Sequence, residues 1–149
     1  MKKQCINHLT CTLPALSANE SVARSIVAAF VSLPDPTLEE LADLRCAVSE
    51  AVTNAIVHGY RGSSGEIYIS VKLYSDRTVR VEIKDRGVGI ADIEEARKPL
   101  FTTDKSGERS GMGFAVMEAF TDAVRVFSTP GRGTRVVLEK RLSQTENGR

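Results

Sequence analysis

Two neighbouring stretches of the chain alternate hydrophobic and polar residues with a period of two. In residues 67–73, Ile, Ile, Val and Leu alternate with Tyr, Ser and Lys, and in residues 79–83, Val, Val and Ile alternate with Arg and Glu. A turn over residues 75–77 joins them, so the pattern predicts an antiparallel β-hairpin with one buried face. Weaker patterns predict three further strands, over residues 3–13 at a sheet edge, 123–128 and 134–141.

Hydrophobic residues recur with helical spacing in three other stretches. The first predicted helix begins at Ser17-Ala18-Asn19-Glu20, which has the form of a capping box, and stops at Pro34. A second capping box, Thr37-Leu38-Glu39-Glu40, opens a longer helix that Gly59 ends. The apolar stripe of this second helix consists of Leu41, Leu44, Val48, Val52 and Ala55. A third helix is predicted over residues 113–120.

Residues 86–111 are rich in glycine and in charges of both signs, with a brief helical fragment over 93–98. Such a long segment favours a functional lid, which we place at about 94–110. Together the elements predict an α/β (α+β) two-layer sandwich, with helices on one face of a mixed, mostly antiparallel sheet. Because we find no repeat or linker, we expect a single domain over 1–149 that ends in a flexible tail from about 142.

Composition narrows the possible environment and partners. The 149 residues are 42% hydrophobic and 26% charged with a formal net charge of +1, which is typical of a globular domain and argues against a general nucleic-acid or anionic-membrane binder. No apolar run approaches the ~20 residues that span a bilayer, and the basic start lacks a signal core. Three cysteines without C-x-x-C spacing favour reduced thiols in the cytoplasm.

Glu50 and Asn54 lie one turn apart on the second predicted helix, opposite its apolar stripe. A solvated polar face would explain such a pair. However, Cys46, Ala47 and Val57 share this side, so we expect it to be partly covered. An amide oxygen can ligate Mg²⁺ and a carboxylate can deprotonate a nucleophile, so a catalytic pair is the second interpretation.

Asp85-Arg86-Gly87-Val88-Gly89 directly follows a predicted strand. Asp85 continues the phase of the buried residues, and an ionised carboxylate on that face is costly unless hydrogen bonds are donated to it. Gly87 and Gly89 permit a positive φ or the close approach of a flat ligand. A strand-ending turn is the alternative interpretation.

Ser110-Gly111-Met112-Gly113 stands at the start of the third predicted helix. Backbone N–H groups there can hold an anion, and Arg109 and Lys105 just upstream can contact phosphate oxygens. A flexible loop entering a helix is the alternative. Neither glycine cluster fits a Walker A loop or the Rossmann pattern.

The order of these features is more specific than any one of them. A carboxylate–amide pair, a buried acceptor for an exocyclic amine, a phosphate-binding helix start and then Gly131-Arg132-Gly133-Thr134 follow one another. Together they indicate a site for an adenine nucleotide with Mg²⁺.

These motifs resemble those of the GHKL ATPase superfamily, which has the Bergerat ATP-binding fold. Three stretches are similar to the anti-sigma F factors (stage II sporulation protein AB) of endospore formers, over residues 49–60, 99–103 and 108–114. Members of that family are dimeric serine protein kinases that bind a sporulation sigma factor and phosphorylate an anti-anti-sigma factor. The resemblance implies the same activity here, with ATP or ADP and Mg²⁺ as cofactors.

The resemblance also implies a role for each matching residue. Glu50 would be the general base, Asn54 the Mg²⁺ ligand and Asp85 the acceptor for the adenine amine, with Arg109 near the γ-phosphate. Arg24 would lie on the partner surface, although an exposed helix arginine explains it equally. The other residues implied in nucleotide binding are Gly87, Gly89, Thr102, Thr103, Ser110, Gly111, Met112, Gly113 and Thr134.

Other functions fit parts of the pattern. A detached histidine-kinase catalytic domain would need an accepting histidine on a helical dimerisation segment, and neither histidine lies in one. A non-catalytic, nucleotide-gated module that holds a sigma factor is a second alternative, and a related anti-sigma B-type stress-response kinase is a third. With a net charge of +1 and no recognition motif, we expect no direct DNA contact.

Overall fold

The structure, a computed structural model that describes residues 3–98 and 113–144, places helices against one face of a five-stranded sheet. The strands are β1 (Cys5–Pro14), β2 (Glu66–Tyr74), β3 (Thr78–Asp85), β4 (Ala123–Thr129) and β5 (Gly133–Arg141). The helices are α1 (Asn19–Val31), α2 (Leu38–Thr53), α3 (Ile93–Arg97) and α4 (Gly113–Phe120), with a π-helical segment at Asn54–Gly59 directly after α2.

The strands lie in the order β1-β2-β3-β5-β4, and β1 is at an edge as predicted. All pairings among the described strands are antiparallel, so the expected mixed sheet is antiparallel throughout this part of the chain. The β2–β3 hairpin is confirmed, with Val71 opposite Val81. The alternating residues of both strands are buried on the face that carries the helices. The two-layer sandwich is therefore the observed architecture.

The two capping boxes behave differently. The Thr37 side chain accepts the N–H of Glu40, whose own side chain accepts the N–H of Thr37, as predicted. The prediction for Ser17 is wrong, because α1 has no side-chain cap and is preceded by Ala18 in helical conformation. The chain already turns before the helix, where the Asn19 N–H donates to the Leu16 carbonyl.

The second helix changes its winding before it ends. The predicted single helix to Gly59 is an α-helix to Thr53 followed by the π-helical segment, in which the Tyr60 N–H donates to the Ala55 carbonyl five residues earlier. Six residues cover little more than one turn, so hydrophobic spacing alone does not reveal the wider winding. Of the residues expected to be covered on the polar side, Ala47 is buried but Cys46 is exposed.

Order extends past the predicted start of the tail at residue 142. Leu142 is buried in the core and its N–H donates to the Arg77 carbonyl. The Ser143 N–H donates to a carboxylate oxygen of Glu40 at 2.7 Å. Of the predicted lid, residues 94–98 are described and include most of α3, while residues 99–110 lie outside the described part. A search of the described helices finds none with the length and hydropathy of a membrane span.

The contrast between the two helix starts gives a stability test. We expect Thr37→Ala to lower the free energy of unfolding by about 1 kcal/mol, because it removes the acceptor of the capping box. Ser17→Ala, the same kind of truncation at the other helix, should leave stability within about 0.5 kcal/mol because no cap is lost there. Urea denaturation of both variants measures this, and equal losses would contradict the observed caps.

Candidate functional site

Glu50 lies in the middle of α2, where α4 begins. A Cβ placed on Gly113, the first residue of α4, would be 3.4 Å from Oε2 of Glu50. The side chain of Glu50 is half-buried, and no basic residue within 3–98 or 113–144 forms an ion pair with it. The structure therefore brings together the carboxylate of the first predicted motif and the helix start of the third.

Asn54 stands at the junction between α2 and the π-helical segment. Its N–H donates to the carbonyls of Glu50 and Ala51, which closes the α-helix. The π-helical segment then runs to Gly59, whose carbonyl accepts the N–H of Val88 at 2.9 Å. This single stretch of helix thus connects the Glu50–Asn54 pair with the loop that follows Asp85.

Asp85 is the last residue of β3 and is only 3% exposed, on the buried face as predicted. Desolvation by burial raises the pKa of its carboxyl group, while hydrogen bonds from the backbone of Gly87 and Thr134 act in the opposite direction. The Gly87 N–H donates to Oδ1 at 2.9 Å. Within the described residues no basic side chain neutralises this carboxylate.

Glycines surround Asp85 because backbone segments approach one another closely. A Cβ on Gly59 would lie 2.9 Å from the carboxylate of Asp85, and a Cβ on Gly87 would lie 2.1 Å from the Gly59 carbonyl oxygen. On the other side, a Cβ on Gly133 would lie 2.1 Å from the Asp85 carbonyl oxygen. Gly87 therefore serves the contact between protein segments, a role that the sequence analysis did not consider.

Three neighbouring strands place polar side chains in one row. Thr134 of β5 is opposite Asp85 and is buried, and Ser128 of β4 is opposite Thr134. The two hydroxyl oxygens are 2.8 Å apart. Ser128 Oγ also accepts the Ile90 N–H at 2.7 Å, which ties the glycine loop to β4. Gly89, with a φ of 76°, packs against the backbone of Thr129 in the same region.

Tyr60 holds the end of the π-helical segment in place. Its hydroxyl donates to the Glu66 carbonyl and accepts the Arg86 N–H at 2.8 Å, and its ring is packed against Gly65. The side chain therefore fixes the residue that follows Asp85 relative to the start of β2.

The described part of the chain contains eight of the predicted site residues. Seven of them line one continuous region between α2, α4 and the ends of β3 and β5, namely Glu50, Asn54, Asp85, Gly87, Gly89, Gly113 and Thr134. Arg24 is on α1, where Nη1 is 3.5 Å from both Ser49 Oγ and Glu20 Oε1. The remaining predictions fall outside the described residues, at Thr102, Thr103, Arg109, Ser110, Gly111 and Met112.

Sequence reasoning missed three residues that shape the site. Pairing the last two predicted strands through their tight turn would have put Ser128 opposite Thr134. Gly59 was taken only as a helix end, and Tyr60 had no role. Nothing in their local sequence indicates contact with Asp85, because the partners are more than 20 residues away.

The arrangement suits a ligand with different chemistry at its two ends. A buried carboxylate beside two hydroxyls can accept a hydrogen bond from an amine on a flat ring. At the other end, the start of α4 offers backbone N–H groups to an anion, and Asn54 offers an amide oxygen to a cation. Glu50 lies where it can accept a proton from a reacting hydroxyl.

The burial of Asp85 gives a pH-dependent prediction. Because its pKa is raised above the ordinary 3.8, the ionised carboxylate opposes folding at neutral pH, and this cost disappears as the pH falls. We therefore expect Asp85→Asn to raise the melting temperature of the ligand-free protein at pH 7. The gain should shrink as the pH falls through the raised pKa of Asp85. Scanning calorimetry between pH 4 and 7 measures it, with Asp35→Asn at an exposed position as the control. A melting temperature lowered by Asp85→Asn at pH 7 would contradict this account.

Comparison with known proteins places the chain in a family. A family model described as a histidine kinase-like ATPase domain matches residues 13–140. An anti-sigma F factor from Bacillus licheniformis is 52% identical over 141 residues, which is 94% of this chain and 96% of that protein. An anti-sigma F factor from Bacillus subtilis is 51% identical with the same coverage.

Solved structures share the fold. The RsbU and RsbW domains of a Mycobacterium tuberculosis protein match with a TM-score of 0.67 and 25% identity, covering 93% of this chain and 33% of that one. Full-length ShkA in complex with AMPPNP matches with a TM-score of 0.61 and 18% identity, covering 86% of this chain and 30% of that one. Since about half of its residues are identical to the curated relatives over nearly its whole length, the chain belongs to the histidine kinase-like ATPase domain family and, within it, to the anti-sigma F factor family.

Proposed function

We propose that this protein is a cytoplasmic serine protein kinase and anti-sigma factor. It holds a sporulation sigma factor of the sigma F type and uses Mg-ATP to phosphorylate a serine of an anti-anti-sigma factor. The names of its curated relatives support the sigma-binding part. The position of Glu50 beside the first residue of α4 is the observation that carries the kinase part.

Two ends of one pocket support nucleotide binding. Asp85, Thr134 and Ser128 take the adenine end, where the exocyclic amine donates to the Asp85 carboxylate. The start of α4 takes the phosphate end, with Arg109 from the predicted lid beside the γ-phosphate. Because α2 and the π-helical segment connect both ends, the distance between base and phosphates is fixed by one rigid element.

The chemistry follows from the place of Glu50 between substrate and phosphates. Its carboxylate accepts the proton of the seryl hydroxyl, and the freed oxygen bonds to the γ-phosphorus. The bond from that phosphorus to the oxygen bridging it to the β-phosphate breaks, and ADP leaves. Positioning and charge stabilisation supply most of the catalysis in such transfers.

Asn54 fits a metal ligand in this proposal. Its amide lies one turn from Glu50 at the point where α2 widens, on the same half-buried side. A hard cation such as Mg²⁺ prefers oxygen ligands and takes the rest of its shell from phosphates and water. When bound, the ion neutralises charge on the phosphates.

Arg24 connects the partner surface with the catalytic residue. It is hydrogen-bonded to Ser49, the residue before Glu50, and its Nε is buried without a partner among the described residues. A protein partner that accepts a hydrogen bond from Nε would therefore dock next to the base. We propose that both protein partners meet this surface, in a homodimer of the chain.

A related anti-sigma B-type stress-response kinase is the second candidate. The likeness to a structure containing an RsbW domain favours it. The two candidates share the site and differ in their partners. Pull-down with purified sigma factors of both types from the same genome distinguishes them.

Removing the proposed base should separate transfer from binding. We expect Glu50→Gln to reduce phosphorylation of the anti-anti-sigma factor by roughly 10²- to 10⁴-fold, the usual contribution of a general base. ATP affinity should persist because the pocket is otherwise intact. The measurement is acid-stable label transferred from γ-labelled ATP to the purified partner, with calorimetry for ATP.

The matched control is Glu39→Gln, the same change on an exposed position of the same helix. Full transfer activity in Glu50→Gln would refute the general-base role. Label lost equally in both variants would point to a damaged helix. Tight ATP binding by the wild type without any transfer would favour the nucleotide-gated, non-catalytic module.

Asp85→Asn should weaken ATP binding by at least about tenfold, because an amide replaces the ionised acceptor at a buried hydrogen bond worth roughly 1.5–3 kcal/mol. Isothermal calorimetry measures this, with Asp35→Asn as the control. Unchanged affinity would remove Asp85 from the proposed adenine site. The same variant is expected to be the more thermostable one, so lost affinity could not be attributed to unfolding.

A further inference from the structure

One edge of the sheet is unprotected. β1 is ten residues long and pairs with β2 on one side, and within the described residues no strand covers its other side. Its sequence, CINHLTCTLP, contains no Asp, Glu, Lys or Arg. Proteins normally block such edges with charges, bulges or covering elements, because free N–H and C=O groups attract another strand.

The opposite edge is protected in that way. β4 has seven residues, includes Arg125, and its Val124 carbonyl accepts a hydrogen bond from Arg97 of α3 at 3.1 Å. The difference between the two edges indicates that only the β1 edge is available for pairing.

The backbone groups that point away from β2 can be assigned. The Ala15 N–H donates to the Gly65 carbonyl, so Ala15 points toward β2. Backbone direction alternates along an antiparallel strand, so Leu13 and Cys11 also bond to β2. Thr12 and Thr10 therefore direct both their N–H and their C=O groups outward.

Both ends of this free stretch are closed. At one end the His8 N–H is taken by Oδ1 of Asn7 at 3.0 Å. At the other end Pro14 has no N–H, and its carbonyl accepts the Leu16 N–H and Asn19 Nδ2. Cys11 lies midway between His8 and Pro14, so the free stretch is symmetric about it.

We propose that the β1 edge pairs with β1 of a second copy of this chain, antiparallel and centred on Cys11. In this register Thr10 of one copy faces Thr12 of the other, and each pair exchanges both backbone hydrogen bonds. The ladder stops at His8 and Pro14, where neither copy has a free N–H. A partner with this symmetry is another copy of the same strand, because the interface is isologous.

Exposed apolar residues flank the same centre. Ile6 is 61% exposed and Leu16 is 59% exposed, and each lies five residues from Cys11. The two-fold arrangement brings Ile6 of one copy toward Leu16 of the other at both ends of the ladder. Burying these side chains adds apolar contact to backbone pairing, and the uncharged edge introduces no like-charge repulsion.

This inference gives the proposed homodimer a surface, and it can be tested without any kinase assay. Thr12→Pro removes an outward N–H while leaving the bonds of Cys11 and Leu13 to β2 intact, since proline is tolerated on edge strands. We expect the dimer dissociation constant to rise at least about tenfold, because two hydrogen bonds are lost per dimer. The matched control, Thr12→Ala, keeps the N–H and should dimerise as the wild type does. Sedimentation over a range of concentrations measures both.

Cysteine cross-linking tests the register in the native chain. Directly opposed residues at a non-hydrogen-bonded position have Cα atoms about 4.5 Å apart, within the range of a disulfide. Mild oxidation should therefore link Cys11 to Cys11 of the second copy. Burial raises the pKa of the Cys11 thiol, so the reaction is run at mildly alkaline pH. Cys11→Ser, which retains the exposed Cys5 and Cys46, is the control and should lose the cross-linked dimer.

The outcomes separate this surface from the proposed function. A wild-type dimer that is unaffected by Thr12→Pro and not cross-linked through Cys11 would overturn the β1 edge and leave a dimer through another surface. A wild-type monomer at all concentrations would overturn the edge and the homodimer together, while phosphotransfer activity would still decide the kinase proposal.

Discussion

The carboxylate of Asp85 sits at the point where three separate segments meet, and the site depends on that contact. The end of the π-helical segment touches the side chain at Gly59, and the start of β5 touches its backbone at Gly133. Any side chain at either glycine would push these segments apart. A buried charge is tolerated there because two backbone groups donate to it, although desolvation still raises its pKa. The fold therefore holds a hydrogen-bond acceptor ready, at a cost to stability that a bound ligand can offset.

From this point the geometry extends along α2. The helix carries Glu50 against α4 at one end and leads through Asn54 and the π-helical segment to Gly59 at the other. A conformational change at the start of α4 is therefore adjacent to the proposed base, while the Asp85 end is fixed by Tyr60 and by the β3–β5 pairing. This arrangement suits a protein whose phosphate end must change with nucleotide state while its base-binding end stays in place.

Prediction succeeded where a local pattern decides the structure. The β2–β3 hairpin, the burial of Asp85 and the cap at Thr37 follow from alternation and from one reciprocal pair of hydrogen bonds. The same capping pattern failed at Ser17, because a turn stabilised by Leu16 and Asn19 already winds the chain before the helix. A local motif is thus reliable only when no neighbouring contact competes for the same backbone groups.

The sequence by itself determined the elements, the buried face of each strand, and the set of residue types from which an adenine nucleotide site could be made. It also carried the family, since the motifs occur in a recognisable order. Only the tertiary structure decided that Gly59 and Gly87 pack on each other beside Asp85, that Ser128 joins Thr134, and that β1 leaves a symmetric free edge. The physical reason is that these contacts join residues far apart in the chain. Whether such segments approach within van der Waals distance depends on how helices and strands pack, which short-range periodicity does not encode.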